Sequence, residues 1–143
     1  MVYQTTLNIT AKMKRMKYRV WDKENNCWYK PTYRAYRGEL EDLTLTPTGQ
    51  LIMRTLDQPA IHESRFLNRF EIVLFTGLKD KHGKEIYADD LYKTDGKIFI
   101  VEWDVCSFQI TNIDNKDDQY YLHQKHYQTG EIIGNIYENP ELL

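Results

Sequence analysis

No stretch of ten or more residues in this chain carries a clean 3.6-residue apolar period, which argues against a fold of packed amphipathic helices. Apolar residues recur instead in short runs: "KYRVW", "LIMRTL", "EIVLF", "KIFIVEW", "SFQIT", "QYYLHQ" and "EIIGNIY". Tyrosine, phenylalanine and tryptophan make up 13% of the residues, many beside valine or isoleucine, as in pleated and half-buried strands. Turn formers punctuate the runs roughly every 8 to 12 residues. The expectation is an all-β fold, a small barrel or sandwich of short antiparallel strands joined by hairpins, with little helix.

Two hairpins can be placed by turn chemistry. "KYRVW" sets Tyr18 and Val20 on one face and Arg19 and Trp21 on the other, "DKENN" supplies the turn, and "CWYK" resumes the extended pattern up to Pro31. "LTLT" and "LIMRTL" flank "PTGQ", where Pro47 and Gly49 suit a tight turn. "IHESRFLNRF" has room for one helical turn capped by Ser64. The closing "ENPELL" ends in Leu142 and Leu143, which are expected to fold back onto the domain or onto a neighbouring subunit.

A length of 143 residues suits one core, and no apolar run approaches the roughly 18 residues of a membrane span. The start "MVYQTTLNIT" has neither the basic nor the apolar region of a signal peptide. Cys27 and Cys106 lie far apart with no C-x-x-C neighbour, so free thiols in a cytoplasmic protein are expected. A net charge of −2 removes the simplest argument for a nucleic-acid binder.

Three landmarks stand in order: "KYRVWDKENNCWY", "FTGLKDKHGKEIYADD" and "EIIGNIYENPELL". Together they resemble the YopX family of bacteriophage and prophage proteins, over Met16 to Leu143. The resemblance implies a single YopX-like β-rich domain over 16–143, preceded by an N-terminal extension over 1–15. It also implies a protein made in the cytoplasm of a bacterial host, with no established enzymatic activity. Family members commonly carry Gly-Asp after "KEIY", whereas this chain has Ala88, Asp89 and Asp90, so a longer or differently shaped turn is expected there.

Four candidate features remain. "TGLKDKHGKEIY" looks like a site but reads better as a structural turn, with Gly77, Asp80 and Gly83 setting its shape and the lysines and His82 in water. The carboxylates Asp89, Asp90, Asp95, Glu102 and Asp104 are the raw material of a metal-dependent nuclease. The same spacing fits a solvent-facing strand, with Val101, Trp103 and Val105 turned inward. His62, His82, His123 and His126 show no metal-ligand spacing, and Ser64 and Ser107 lie in no nucleophile motif. Lys14, Arg15, Lys17 and Arg19, interleaved with aromatics in "KMKRMKYRVW", are candidate contacts for a partner or nucleic acid. The reading carried forward is non-enzymatic, with no cofactor and no membrane. It is a homo-oligomer acting on an unknown host or phage protein, since short strands leave edges that a second copy can pair.

Overall fold

The computed structural model describes residues 17–122 and 129–143. Of these, 53% lie in strands and 7% in helix, and no helix reaches seven residues. The fold is all-β, made of antiparallel sheets. The described residues form two compact units, an N-terminal unit of 19–73 with 136–143, and a C-terminal unit of 17–18, 74–122 and 129–135. Lys14, Arg15, the "TTLNIT" segment, His123 and His126 lie outside the described residues.

In the N-terminal unit β1 (Tyr18–Asp22, its first residue belonging to the other unit) and β2 (Cys27–Trp28) form the first hairpin, with Trp21 opposite Trp28. Asp22 shapes its turn by accepting hydrogen bonds from the Glu24 amide at 3.0 Å and the Asn25 side chain at 2.7 Å. The Arg69 guanidinium grips the same carboxylate at 2.9 and 3.2 Å, and this bond, with those from Asn25, holds Asp22 at a pKa of about 2 despite its burial. Tyr137 returns to this unit and packs on Trp21 and Trp28 with centroid distances of 5.4 and 5.8 Å. Beyond it the 3-10 turn Pro140–Leu142 buries no residue and Leu143 is exposed. Within the chain Leu142 alone is half-buried, so Leu143 does not fold back on the domain itself.

The second hairpin is part of a four-stranded sheet of β3 (Thr32–Arg34), β4 (Glu39–Leu45), β5 (Leu51–Thr55) and β6 (Ile61–His62), in that order. Leu51 and Met53 of β5 are buried, opposite Leu45 and Leu43. Gly49 takes φ +84 in the β4–β5 turn, a conformation that strains any side chain. The predicted helical turn is a 3-10 turn at Glu63–Arg65, and its cap is His62 rather than Ser64: His62 Nδ1 accepts the Ser64 amide at 3.2 Å. The imidazole one residue before the turn accepts an N–H that the turn itself leaves without a partner.

β7 (Phe70–Lys79) starts in the N-terminal unit and ends in the C-terminal one. There it pairs with β8 (Glu85–Tyr87), and a five-stranded antiparallel sheet follows. The strands of that sheet are β9 (Asp90–Thr94), β10 (Lys97–Asp104), β11 (Ser107–Asn112), β12 (Gln119–Tyr121) and β13 (Glu131–Asn135), in the order β12-β11-β10-β9-β13. Ile86, Tyr92, Phe99, Val101, Ile110 and Leu122 make its core. Strand alternation puts Phe99 and Val101 on one face, opposite Tyr92 and Ile110, so these four core residues share one face of the sheet. The β8–β9 connection is only Ala88 and Asp89. Asp89 adopts the left-handed φ of +63 that aspartate tolerates, and Asp90 accepts the Tyr87 amide at 2.7 Å.

Candidate functional site

The turn between β7 and β8 is built around one carboxylate. Asp80 Oδ1 accepts the amides of His82 and Lys84, each at 2.9 Å, and Oδ2 accepts the amide of Ile132 at 2.9 Å. The Gly83 amide donates to the Asp80 carbonyl at 2.9 Å, and Gly83 has φ +80. Asp80 and Gly83 thus stand at the first and fourth positions of the turn. Gly77 does not belong to it: it lies inside β7 with φ +84, where the β7–β8 register shifts between Phe75 and Lys79, so it serves a bulge. Lys79, Lys81 and Lys84 are exposed, while His82 Nε2 lies 3.1 Å from Glu131 and the Lys81 amide donates to Gly130. The turn is therefore tied to the start of β13 by backbone and side chain together.

The acidic candidates do not converge. Asp90 is buried and bonded to the Tyr87 amide, Glu102 accepts the Thr111 hydroxyl at 2.9 Å, and Asp104 is exposed at the end of β10. Among the described residues no group of three or more His, Cys, Asp and Glu side chains is placed to hold a metal ion. The basic candidates that are described are engaged. Lys17 pairs with Glu85 at 2.6 Å, and the Arg19 guanidinium lies 4.0 Å from the Trp28 ring centroid.

Strand alternation predicted Trp103 and Val105 inside; the structure places both outside. Val101 is fully buried, but Trp103 is 54% exposed and Val105 91% exposed. Trp103 does share the face of Val101, and packs edge-to-face on Phe108 at 4.8 Å, but on this strand the buried cluster stops at Val101. Val105 has left the strand for the β10–β11 turn, where it adopts φ +41, a strained conformation for a β-branched residue.

A second surface lies on the N-terminal unit and was missed in the sequence. Tyr33 on β3 is 64% exposed, and Tyr36 in the following 3-10 turn, Ala35–Arg37, is 80% exposed. Arg37 lies 5.6 Å from the Tyr36 ring centroid, and the Tyr33 hydroxyl reaches Asp42 at 3.5 Å. Asp42 is in turn gripped by Arg54, which holds its pKa below the usual carboxylate range. Beside them is a hollow of about 720 Å³ lined by Tyr33, Arg34, Leu40, Glu41, Leu56 and Gln58, among others. The alternation of tyrosine and arginine in "TYRAYR" was the legible signal.

These features define a small all-β protein whose buried carboxylates serve its turns and ion pairs. The chain belongs to the YopX family: the family model described as YopX protein matches residues 17–143. Among solved structures it is similar to the crystal structure of protein YopX from Bacillus subtilis, with 23% identity and a TM-score of 0.55 over 92% of this chain and 99% of that one. It also matches a crystal structure of a protein from Enterococcus faecalis at 18% identity and a TM-score of 0.48, covering 90% of this chain and 98% of that one. The Bacillus likeness carries the fold. No curated protein matches the chain. Among the described residues no helix is long and apolar enough to cross a membrane.

Proposed function

We propose that the chain is an accessory protein encoded by bacteriophage or prophage DNA, acting in the host cytoplasm by binding a host or phage partner rather than by catalysis, and that it self-associates. The observation that carries self-association is the open end of the β10–β11 hairpin. There the core row Phe99, Val101, Trp103 runs out uncovered, and an exposed valine is kept at a positive φ that asparagine or glycine would occupy at lower cost. A rule of local structure broken on an exposed apolar turn is expected where a contact requires it. In a two-fold contact the patch meets its own copy.

Light scattering with size exclusion at micromolar concentration tests this. A mass above that of the monomer is expected, falling to the monomer in the Trp103→Ser, Val105→Asn double variant. A parent that is already monomeric defeats the self-association. Val105→Asn alone should raise the stability of the monomer by about 1 kcal/mol, read by urea unfolding, as strain at the turn is relieved. As a check on the non-enzymatic reading, the parent with magnesium or manganese should cleave DNA and RNA no faster than a Glu102→Ala, Asp104→Ala control.

A further inference from the structure

The surface around β3 combines signs of charge in an ordered way. Lys30, Arg34 and Arg37 are exposed within eight residues that contain no carboxylate, and the two exposed tyrosines stand between them. The carboxylates come next, on β4, where Glu41 is half-buried between Thr32 and Thr55 of the flanking strands, beside Gln58 in the lining of the hollow. Glu39 reaches Arg34 only at 3.7 Å, with both side chains more than half exposed, an ion pair weak enough for Arg34 to exchange partners.

A free phosphate would be met by the cations but repelled by Glu41, and a basic peptide would be met by Glu41 but repelled by the rim. A nucleotide carries both complements, an anionic phosphate and a flat base whose amino edge donates hydrogen bonds. Exposed tyrosines beside arginines match the stacking platforms that take unpaired bases, and a hollow of about 720 Å³ is of the size that holds small ligands. A duplex stacks both faces of its bases on their neighbours and leaves none for the tyrosine rings, so the strand must be single.

We propose that β3, the 3-10 turn after it and the adjoining hollow form a site for single-stranded nucleic acid. Tyr33 and Tyr36 stack on bases, Lys30, Arg34 and Arg37 hold phosphates, and Glu41 accepts from the amino group of a base in the hollow. The site lies on the N-terminal unit and is independent of the self-association proposed for the β10–β11 hairpin end. Bases with an exocyclic amine, cytosine, adenine and guanine, are preferred over thymine, which has none.

Fluorescence anisotropy of the full-length chain with labelled twelve-nucleotide oligomers tests the site. The probes are dC, rC and dT oligomers and a blunt duplex. Binding of dC is expected to be at least tenfold tighter than of dT or duplex, and the ratio of dC to rC shows whether the sugar is read. Three phosphate contacts to a single strand weaken binding on the order of 20-fold between 50 and 200 mM salt. Tyr33→Ala with Tyr36→Ala should weaken dC binding tenfold or more, while Tyr33→Phe with Tyr36→Phe should keep it. Glu41→Gln should narrow the preference for dC over dT. All three variants should keep the parent circular dichroism, and the Trp103→Ser, Val105→Asn variant should bind dC as the parent does. No binding of dC at 50 mM salt with 100 micromolar protein, binding that survives loss of both tyrosine rings, or equal binding of duplex overturns the proposal.

Discussion

Gly130→Ala is expected to cost about 3 kcal/mol, the top of the usual range for an overpacked core. A Cβ at Gly130 would lie 2.2 Å from Cζ, 2.4 Å from the hydroxyl oxygen and 2.6 Å from Cε1 of Tyr92. Tyr92 cannot swing aside, because it has no exposed surface and sits in the core with Ile86, Phe99 and Val101. Burial pushes its phenol up to about 12, and its oxygen bonds to the Gly130 backbone and the Thr129 side chain. Inserting a methyl group therefore forces out a packed ring and breaks those bonds, which places the cost at the upper end of overpacking effects. Guanidinium unfolding of the variant checks the figure. Tyr92→Leu should cost about 3 kcal/mol alone, and the double variant little more than either single one, since the collision disappears with the ring. A Gly130→Ala protein within half a kcal/mol of the parent would show that the backbone there gives way freely.

That glycine shows which parts of the fold were legible. "TG" at 129–130 read as a turn, and so it is, but what demands glycine at 130 is a ring 38 positions earlier in the chain, which local pattern does not encode. The hairpins were legible because their turns are local chemistry: Asp22 bonding its own turn, and Gly49 at a positive φ. Alternation placed Trp103 on the face of Val101 correctly and its burial wrongly, because period 2 fixes the face of a residue and not where the opposing layer stops. Gly77 was grouped with Asp80 and Gly83 because all three are near in sequence. The bulge it serves depends on the partner strand, and only the paired register shows it. The "TYRAYR" surface is masked in the sequence by the longer basic run before it, whose described members Lys17 and Arg19 are taken up by Glu85 and Trp28.

Asp80→Ala should cost about 3 kcal/mol at pH 7, and Asp80→Asn nearly as much. Three backbone amides converge on this buried carboxylate, two from its own turn and one from β13, and an ionised acceptor of several N–H groups is among the stronger hydrogen-bonding arrangements. Alanine leaves those amides unsatisfied. Asparagine keeps one acceptor oxygen but turns an NH₂ donor toward the Ile132 amide, which also donates. Burial alone would raise the pKa of Asp80; the bonds from Ile132, Lys84 and His82 outweigh it and leave the pKa below the usual carboxylate range. A folded-state pKa below the unfolded one means that the stabilisation is complete above the unfolded value, near 4, and is lost as pH falls through the lowered folded value. The parent should therefore exceed Asp80→Asn in stability by a constant margin from pH 8 to about 5, and that margin should shrink as pH is taken toward 2.5. Other carboxylates titrate in the same range, Asp22 among them, but they do so in both proteins and cancel in the difference. Urea unfolding of the pair across this pH range decides the matter. A margin that stays constant down to pH 2.5 would mean that shape alone, and not the charge of Asp80, holds the β7–β8 turn to β13.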